Sequence, residues 1–595
     1  MAEPDVRERA QNREGRDLLD RLVALASDDP DHLLYVELLD GTEESGRLTA
    51  EELRSKAARL AGLLAENGLR PGDVALLIAT RPVEFVVGLF GCMWAGVIAA
   101  PVSFPRRPEH LATRLEPVRA NAGAVAVVAA SPQGAAELAV LDALSQGEVP
   151  VIHTGDADAA DEAPVVAERD IAYLQYTSGS TSEPRGVTVT HANLADNLEV
   201  CREILAMTPD SVSVSWCPLT HDMGLVVGAL PAVWFGMLCV IMPPTAFIRR
   251  PMTWLRALDR YHGTHTSSPN FGYDLCVDRS SPEERTSLDL SHARVFINGA
   301  EPVRRRTRDR FLEAFAPAGF PAGAYAPGYG LAEATVVVST VQPGDSGAVL
   351  WVDAEALEQH QIVLRKDGEP GVRELCSDGV VSRSYDVRVV DPDTGVECGP
   401  SQVGELWLRG ASVSPGYWRR EQETLETFGA RLPDGGGPYL RTGDLAFMHE
   451  GELVICGRAK DLIVFNGRNL YPQDIELTAE LAHEAVRLGG SAAFAIQDEA
   501  GVAMETLALV CEVDGEPDQE QVVAAIKAAV QREFEVHVSG VLLVAPYTVP
   551  KTSSGKKQRS ATRQMWLAAQ GAGPVPTQRR AGDQAQDPAR TGSPA

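Results

Sequence analysis

The feature that most constrains this chain is a ten-residue polar loop placed between two short apolar stretches. Residues 171–176, IAYLQY, and residues 187–190, VTVT, predict two strands, and His191 begins a predicted helix. The loop between the strands, residues 177–186, has the sequence TSGSTSEPRG, which is too polar to fill a core. Long polar loops in compact domains are usually functional or disordered, so this loop is the first candidate for a ligand site.

The composition of the loop is that of an anion site. Gly179 and Gly186 allow the backbone to approach a ligand closely, and Arg185 adds a fixed positive charge. The hydroxyl groups that can donate to phosphate oxygens belong to Ser178, Ser180 and Thr181. A plain hairpin turn is the alternative, and we favour phosphate binding. The loop is not of the GxxxxGK[ST] type, because no lysine follows its second glycine.

Length, charge and cysteine content limit the classes of protein that fit. A chain of 595 residues exceeds what one hydrophobic core usually supports, so we expect at least two domains. The net charge of −28 argues against nucleic acid or an anionic membrane as the main partner. Nine cysteines without a CxxC pair argue against a disulfide framework or a zinc site. Because the N-terminus is charged and has no signal-peptide core, we expect a cytoplasmic protein.

Two uncharged stretches are long enough to span a membrane, namely residues 85–105 and 223–248. Glycine and proline interrupt both of them. Each stretch is better explained as a buried helix followed by a buried strand, so we expect no integral membrane segment.

Helices and strands alternate along the first part of the chain. Predicted helices over 48–67 and 84–95 are followed by predicted strands at 74–79 and 97–101. Such alternation predicts a mostly parallel sheet with helices on both faces. After residue 471 the pattern changes to a small α+β arrangement, with predicted helices over 472–488 and 518–534 and predicted strands at 491–496, 506–513 and 540–544.

Several polar residues beyond the loop have both a structural and a functional interpretation. Asp222 can cap the helix that follows it or can act beside His221. Asn298 ends a predicted strand at an Asn-Gly-Ala turn, where α/β ligands bind. Glu333 is a carboxylate in an apolar turn and would need a partner if it were buried. Asp444 is either an ordinary turn residue or a ligand for hydroxyl groups.

The polar loop resembles the phosphate loop of the adenylate-forming enzymes, whose usual pattern is TSGSTGxPKG. Ser182 and Arg185 depart from that pattern, and the fatty acyl-AMP ligase branch tolerates such departures best. Three further segments resemble that branch: HDMGL at 221–225, PNFGYDLCV at 269–277 and VFNGRNLYPQDIE at 464–476. The motifs appear in the family's order over most of the chain, so the chain is identified as a member of this branch.

The resemblance implies an α/β fold with a large N-terminal domain of layered, mostly parallel sheets with helices, plus a small mobile α+β C-terminal domain. The implied boundaries are 16–457 for the large domain and 458–569 for the small one, with disordered ends at 1–15 and 570–595. Residues 351–381 correspond to an inserted segment that is thought to hinder the rearrangement needed to use CoA. The sequence after it, SDGVVSRSYDVRVVD, lacks the family's GRP triplet.

The implied activity joins a fatty acid to AMP, using ATP and Mg²⁺, and passes the acyl group to the phosphopantetheine thiol of an acyl carrier protein. Lys556 in the basic loop PKTSSGKKQR, Glu333 and His221 are the implied catalytic residues, Glu333 being also the implied Mg²⁺ ligand, and Lys460 is the hinge. The implied nucleotide site comprises Thr177, Ser178, Gly179, Ser180, Thr181, Arg185, Gly186, Asn298, Gly299, Ala300, Glu301, Tyr329, Gly330, Asp444 and Arg458. Lipopeptide or polyketide synthesis would be the analogous pathway.

Carrier proteins are acidic, and so is this chain, so docking would need a local basic patch. Residues 304–306 or 556–559 can supply one. Five aromatic residues can either narrow an acyl tunnel or fill the core: Trp216, Trp234, Phe235, Phe271 and Tyr273.

Three other functions stay open. The chain could be a medium- or long-chain acyl-CoA synthetase, although the inserted segment argues against that. An amino-acid adenylation domain would use Asp222 to pair a substrate amine, and the HDMG context argues otherwise. A non-catalytic nucleotide-binding scaffold is the alternative from another class, and intact Lys556, Glu333 and Asp444 argue against it.

Overall fold

The structure is a computed structural model that describes residues 17–104, 115–132, 134–145, 149–166, 170–177, 184–465, 468–496, 506–552 and 555–571. Contacts divide the chain into two compact units. The first contains residues up to 472 together with 551–557, and the second contains 473–550 and the residues from 558 onward. Of the predicted disordered ends, residues 1–15 and residues 572–595 of the tail 570–595 lie outside the described residues. The predicted tail began too early, because residues 570 and 571 belong to the helix Arg559–Gly571.

The α-helices are α1 (Leu18–Asp28), α2 (Ala50–Glu66), α3 (Pro82–Ala95), α4 (Glu116–Ala122), α5 (Ala135–Ser145), α6 (His191–Ile204), α7 (Pro231–Phe235), α8 (Pro244–Arg249), α9 (Met252–Arg260), α10 (Asn270–Asp278), α11 (Pro282–Thr286), α12 (Arg305–Phe315), α13 (Ala354–Glu358), α14 (Glu421–Phe428), α15 (Pro472–Leu481), α16 (Gln519–Phe534) and α17 (Arg559–Gly571).

The strands are β1 (Leu33–Glu37), β2 (Gly46–Thr49), β3 (Val74–Ile78), β4 (Ile98–Pro101), β5 (Ala126–Ala129), β6 (Val151–His153), β7 (Ile171–Thr177), β8 (Arg185–Thr190), β9 (Val212–Ser215), β10 (Leu238–Ile241), β11 (His265–Ser268), β12 (Val295–Asn298), β13 (Tyr325–Gly330), β14 (Val337–Thr340), β15 (Val349–Asp353), β16 (Val372–Cys376), β17 (Val380–Val381), β18 (Tyr385–Val390), β19 (Gly404–Gly410), β20 (Leu440–His449), β21 (Glu452–Arg458), β22 (Ile463–Phe465), β23 (Arg468–Leu470), β24 (Val486–Ile496), β25 (Thr506–Val513) and β26 (Val538–Val544).

Two sheets form the frame of the first unit. The larger has the strand order β18-β19-β20-β21-β17-β14-β13-β12-β11-β9-β10-β1-β2, and its pairs from β13 to β1 are parallel. The second has the order β6-β5-β3-β4-β7-β8 and is parallel except for the β7–β8 pair. The predicted α/β fold with mostly parallel sheets in the N-terminal part is therefore confirmed, with an antiparallel extension through β14 and β17–β21.

Local sequence signals account for the elements next to the polar loop. Strand β8 leads directly into α6, because the Thr190 side chain accepts from the Asn193 N–H and the Asn193 side chain accepts from the Thr190 N–H. This reciprocal cap fixes the predicted helix start at His191. Both uncharged stretches form buried helix followed by buried strand, α3 with β4 and α7 with β10, as predicted. No described helix is long and apolar enough to cross a bilayer.

In the second unit, the antiparallel pair β24–β25 and the parallel pair β25–β26 make a three-stranded sheet. The predicted helix over 472–488 was wrong at its end, since α15 stops at Leu481 and β24 begins at Val486. The helical spacing is overridden because residues 486–496 pair with β25 through a bulge before Ser491. The N–H of Ser491 also donates to Glu480 of α15 at 3.1 Å, which ties strand and helix together.

Candidate active site

The polar loop closes an antiparallel hairpin in which Thr177 pairs with Arg185 and Tyr176 with Gly186. Gly186 is required there, because a Cβ on it would lie 2.9 Å from the Tyr176 ring. The predicted phosphate-loop residues Ser178, Gly179, Ser180 and Thr181 lie outside the described residues. The two strands predicted on either side of them are present as β7 and β8.

Arg185 and Glu333 meet around Tyr417, a residue that follows β19. The Arg185 guanidinium lies 5.6 Å from the centre of the Tyr417 ring and pairs with Glu423 at 2.8 Å. The Tyr417 hydroxyl donates to Oε1 of Glu333 at 2.8 Å. Burial and the charge of Glu333 raise the pKa of Tyr417, so its hydroxyl stays a donor. Tyr417 thus contacts a cation through its ring and a carboxylate through its hydroxyl group.

The predicted adenine turn follows β12. The Asn298 side chain is buried and donates to Asn270 at 2.9 Å and to Tyr325. Gly299 lies so close to β13 that a Cβ would be 2.7 Å from the Gly328 carbonyl oxygen, and Ala300 has a positive φ of 70°. The side chain of Asn298 therefore holds the turn in place, and the turn continues through Glu301 beside β13.

Tyr329, Asp444 and Arg458 form one cluster around the buried Asp444 carboxylate. The Tyr329 hydroxyl donates to Oδ2 of Asp444 at 2.6 Å, and Nε of Arg458 lies 2.9 Å from Oδ1. Asp444 is 4% exposed, and it faces Arg458 across the β20–β21 pair. Gly330 follows Tyr329 where a Cβ would collide with the Val336 carbonyl. The charge of Asp444 raises the pKa of Arg458, which keeps the guanidinium ionised.

His221 and Asp222 lie at the start of a π-helix, Met223–Val227, with His221 Nδ1 2.6 Å from Asp222 Oδ1. Asp222 also accepts from the Met223 N–H, so the capping role considered for it is present. Burial favours the neutral acid, but the charges of His221 and Lys556 outweigh it and lower the pKa of Asp222. Asp222 is therefore an ionised carboxylate within reach of the Lys556 charge.

Lys556 belongs to the first unit and brings the predicted site residues together. Its backbone N–H donates to the Thr552 hydroxyl at 3.0 Å, and its carbonyl accepts from the Thr552 N–H at 2.8 Å. Burial and the charge of Arg458 lower the pKa of Lys556, opposed by three carboxylates, Asp222, Asp444 and Glu333. One lysine thus lies among residues from four separate parts of the chain.

Lys460 lies in the short turn after β21, Ala459–Asp461. Burial and the nearby charge of Arg458 lower the pKa of Lys460. The charges of Asp444 and Arg185 also act on it, so the predicted hinge lysine borders the same cluster. Its role as a hinge stays a prediction.

The arginines considered for carrier docking differ in how much of their charge is already paired. Arg305 pairs with Asp309 at 3.0 Å and lies 5.3 Å from the centre of the Trp351 ring in the predicted insert. Arg559 pairs with Glu476 at 2.7 Å. Arg306 is exposed and has no ion-pair partner within the described ranges. Docking through these residues stays a prediction.

Asp378 is a further buried carboxylate near the site, in the stretch that lacks the GRP triplet. It is 5% exposed, and its Oδ2 accepts from the Ile455 N–H at 2.9 Å. Burial, opposed by that hydrogen bond, raises the pKa of Asp378 to about 7, and the charge of Asp444 adds to the rise.

We expect Asp378→Asn to stabilise the protein at pH 8 and to have a much smaller effect at pH 5. An aspartate in the unfolded chain ionises near pH 4, whereas the folded protein keeps the proton up to about pH 7, so wild-type stability falls as the pH rises through that window. Asparagine keeps the accepting oxygen without the charge. The advantage should grow by up to about 3 kcal/mol between pH 5 and pH 8, read from denaturant unfolding. An advantage independent of pH would show that the folded carboxyl is already ionised.

Sequence reasoning missed the residues that form hydrogen bonds or ion pairs with the predicted site residues and so fix their side chains. Tyr417, in the segment PGYW at residues 415–418, and Glu423 are not among the predicted site residues. Asn270 and Tyr325 fix the Asn298 side chain from two different elements. Each is a partner from a distant part of the chain, for which a single sequence carries no signal.

Two family models match the chain. The model described as "AMP-binding enzyme" matches residues 24–418, and the model described as "Disco-interacting protein 2-like, AMP domain" matches residues 460–571. Together they cover both sides of the segment that carries Asp444 and Arg458.

Named relatives are similar over nearly the whole chain. The medium-chain-fatty-acid–[acyl-carrier-protein] ligase JamA of Moorena producens is 40% identical over 552 residues, 90% of this chain and 92% of that protein. The long-chain-fatty-acid–AMP ligase FadD32 of Mycolicibacterium smegmatis is 34% identical, with 90% and 92% covered. The crystal structure of a fatty acyl-adenylate ligase from L. pneumophila, in complex with acyl adenylate and pyrophosphate, matches with 33% identity and a TM-score of 0.72, covering 93% of this chain and 96% of that one.

Proposed function

The chain belongs to the AMP-binding enzyme family, and from that premise we propose that it is a fatty acyl-AMP ligase that serves an acyl carrier protein. It activates a fatty acid with ATP to the acyl-adenylate, releases pyrophosphate, and passes the acyl group on to the carrier. The observation that carries this proposal is the placing of Lys556 among Arg458 and the carboxylates Asp222, Asp444 and Glu333.

Acyl-adenylate formation joins two anions, because the fatty acid carboxylate attacks the α-phosphate of ATP. Catalysis therefore depends on positioning the reactants and on positive charge where they meet. Lys556 is the residue we assign to that point, and Arg185 lies on the hairpin that carries the phosphate loop. His221, fixed by its contact with Asp222, is assigned to the side of the fatty acid carboxylate. This chemistry needs no side-chain nucleophile.

The nucleoside is assigned to the second half of the site. Tyr329 and the turn at residues 298–301 are assigned to adenine, and Asp444 with Arg458 to ribose. Each carboxylate oxygen of Asp444 already has one partner, the Tyr329 hydroxyl or the Arg458 guanidinium. A carboxylate has about four acceptor positions, so both oxygens can accept one further hydroxyl each.

Glu333 fits a magnesium ion that arrives with ATP. Its Oε1 accepts from Tyr417, and Oε2 has no hydrogen-bond partner among the described residues. The described part of the chain contains no cluster of three or more metal-binding side chains. Mg²⁺ is commonly held by one or two carboxylates plus substrate phosphates, which agrees with a single glutamate. When bound, the ion would stabilise negative charge on the leaving pyrophosphate.

The acyl acceptor is assigned as the phosphopantetheine thiol of the carrier protein, which attacks the acyl carbonyl of the adenylate and releases AMP. Such a product suits a starter unit for lipopeptide or polyketide synthesis. None of the nine cysteines, all of which lie in described parts of the chain, forms a disulfide bond, in keeping with the reducing cytoplasm as the place of action.

The decisive experiment identifies the products formed from ATP, Mg²⁺ and a series of fatty acids of increasing length. The purified protein is given CoA, a phosphopantetheinylated carrier protein, or neither, and products are identified by intact mass. We expect acyl-adenylate in all three reactions and a thioester only on the carrier. The carrier without its phosphopantetheine arm is the matched control.

Acyl-CoA formed as fast as the carrier thioester would assign the protein to the acyl-CoA synthetases, and the segment 351–381 would then need another role. Nucleotide-dependent thermal stabilisation without any pyrophosphate release would favour the non-catalytic scaffold.

A further inference from the structure

The backbone of Gly555, the residue before Lys556, lies directly against the ring of Phe271. A Cβ placed on Gly555 would be 2.5 Å from Cε1 and 3.0 Å from Cδ1 of that ring. Gly555 has a φ of 88°, a conformation that glycine adopts without strain. Both residues belong to the first unit, and the close approach leaves no room for a side chain on Gly555.

Phe271 is held by a rigid aromatic group beneath it. It lies in the first turn of α10, and its ring meets Trp216 edge to face with centroids 5.6 Å apart. Trp216 in turn stacks on Phe247 at 3.9 Å. Trp216 and Phe247 are both buried, so the ring of Phe271 has a fixed support.

The described residues on either side of Lys556 are joined by hydrogen bonds of their own. The Gly555 N–H donates to the Thr552 carbonyl at 3.0 Å, and Thr552 exchanges hydrogen bonds with Lys556. The backbones of Lys551 and Lys557 form an isolated antiparallel β-bridge. A turn closed by its own hydrogen bonds needs an external contact to set its place. Phe271 contacts Gly555, the residue just before Lys556, and this contact therefore fixes the position of the Lys556 backbone.

We propose that Phe271 is a positioning residue that seats the Lys556 turn for acyl-adenylate formation. The proposal rests on the proposed function, since it gives Phe271 its effect through Lys556. It also separates Phe271 from the two roles that its sequence left open, the wall of an acyl tunnel and plain core filling.

Phe271→Ala removes the ring that Gly555 packs against, and Phe247→Leu is the matched control. Phe247 contacts the same tryptophan, but the three atoms nearest to a Cβ on Gly555 all belong to Phe271. We expect Phe271→Ala to lower kcat for acyl-adenylate formation by roughly 10²-fold, the cost of misplacing a catalytic group. The KM for the fatty acid, the chain-length preference and the transfer of supplied acyl-adenylate to phosphopantetheine should change by no more than about twofold.

A higher KM with a new chain-length preference would overturn the proposal and make Phe271 a tunnel wall. Equal losses in both half-reactions, or equal losses in Phe271→Ala and Phe247→Leu, would reduce it to a core residue. Unchanged kcat would also overturn it.

Limited proteolysis of the wild-type protein and of Phe271→Ala tests the contact without depending on the proposed function. Trypsin should cleave after residues 551, 556 or 557 faster in Phe271→Ala than in the wild-type protein, whether or not the protein makes acyl-adenylate. If trypsin cleaves both proteins at the same rate, Phe271 does not position the turn, even if the enzyme is active. If cleavage is faster in Phe271→Ala but the wild-type protein forms no acyl-adenylate, only the proposed function is wrong.

Gly555→Ala tests the contact from the other side. The new methyl group collides with the ring in the wild-type background, and Phe271→Ala removes the three ring atoms nearest to it. The backbone strain of alanine at a φ of 88° is the same in both backgrounds, so the comparison isolates the contact with the ring. We expect the double variant to form adenylate no more slowly than Gly555→Ala alone, since neighbours that share one contact are not additive. Losses that multiply would show two independent effects and overturn the proposal.

Discussion

Lys556→Ala should lower the rate of acyl-adenylate formation by roughly 10²–10³-fold, the loss expected for one preorganised electrostatic donor. In the proposed site Lys556 would offset the charge of two reacting anions, and Arg458 is a cation whose charge lowers its pKa. Transfer from supplied acyl-adenylate should change little, because the thiol attacks an acyl carbonyl and no longer a phosphate. The measurement is single-turnover adenylate formation, with transfer followed separately.

Lys557→Ala is the matched control, since it removes the neighbouring charge from the same turn. It should change adenylate formation by no more than about twofold. Because burial and Arg458 hold the pKa of Lys556 below that of an ordinary lysine, the wild-type rate should fall at alkaline pH, and Lys556→Ala should lack that fall. Equal losses in both half-reactions, or in both lysine variants, would contradict the assignment.

Much of the fold could be predicted because its determinants are close together in the sequence. The hairpin β7–β8 follows from two apolar stretches around a polar loop, and α6 begins at His191 because Thr190 and Asn193 cap each other. The parallel sheets follow from alternating helices and strands. These features depend on neighbours a few residues apart, which a single sequence displays.

Partners from distant elements could not be predicted. The resemblance supplied Lys556, Glu333 and Asp444, but the sequence did not indicate that Tyr417 would hold Glu333. The contact of Gly555 with Phe271 joins two segments far apart in the chain. The end of α15 was misplaced for the same reason, since pairing with β25 outweighed local helical spacing.

The burial of a polar side chain also cannot be predicted from the local sequence pattern. Asp378 stands in a polar stretch that looks exposed, yet the folded chain buries it beside β21 and raises its pKa to about 7. Carboxylates with shifted pKa values gather at functional sites, where charge and exclusion of water are concentrated. The raised pKa of Asp378 therefore supports the proposed site around Asp444.

Asp444→Asn should raise the KM for ATP by roughly 10- to 100-fold, the cost of losing charge-assisted hydrogen bonds worth about 1.5–3 kcal/mol. The asparagine oxygen can still accept from Arg458, and its amide can donate to the Tyr329 oxygen once that hydroxyl rotates. The fold around β20 and β21 should therefore survive. What is lost is the negative charge toward the ribose hydroxyls, so the KM for the fatty acid should stay unchanged.

Asp386→Asn is the matched control for Asp444→Asn, because Asp386 also accepts a tyrosine hydroxyl and an arginine. Tyr439 donates to it at 2.8 Å and Arg409 at 2.7 Å, on β18 at the edge of the same sheet. Asp386→Asn removes the same negative charge from the same kinds of partner without touching a predicted site residue, so the KM for ATP should stay within about twofold. If both variants weakened ATP binding equally, the effect would belong to the sheet. If Asp444→Asn left the KM for ATP unchanged, the ribose assignment would be wrong, because no other described carboxylate pairs with Arg458.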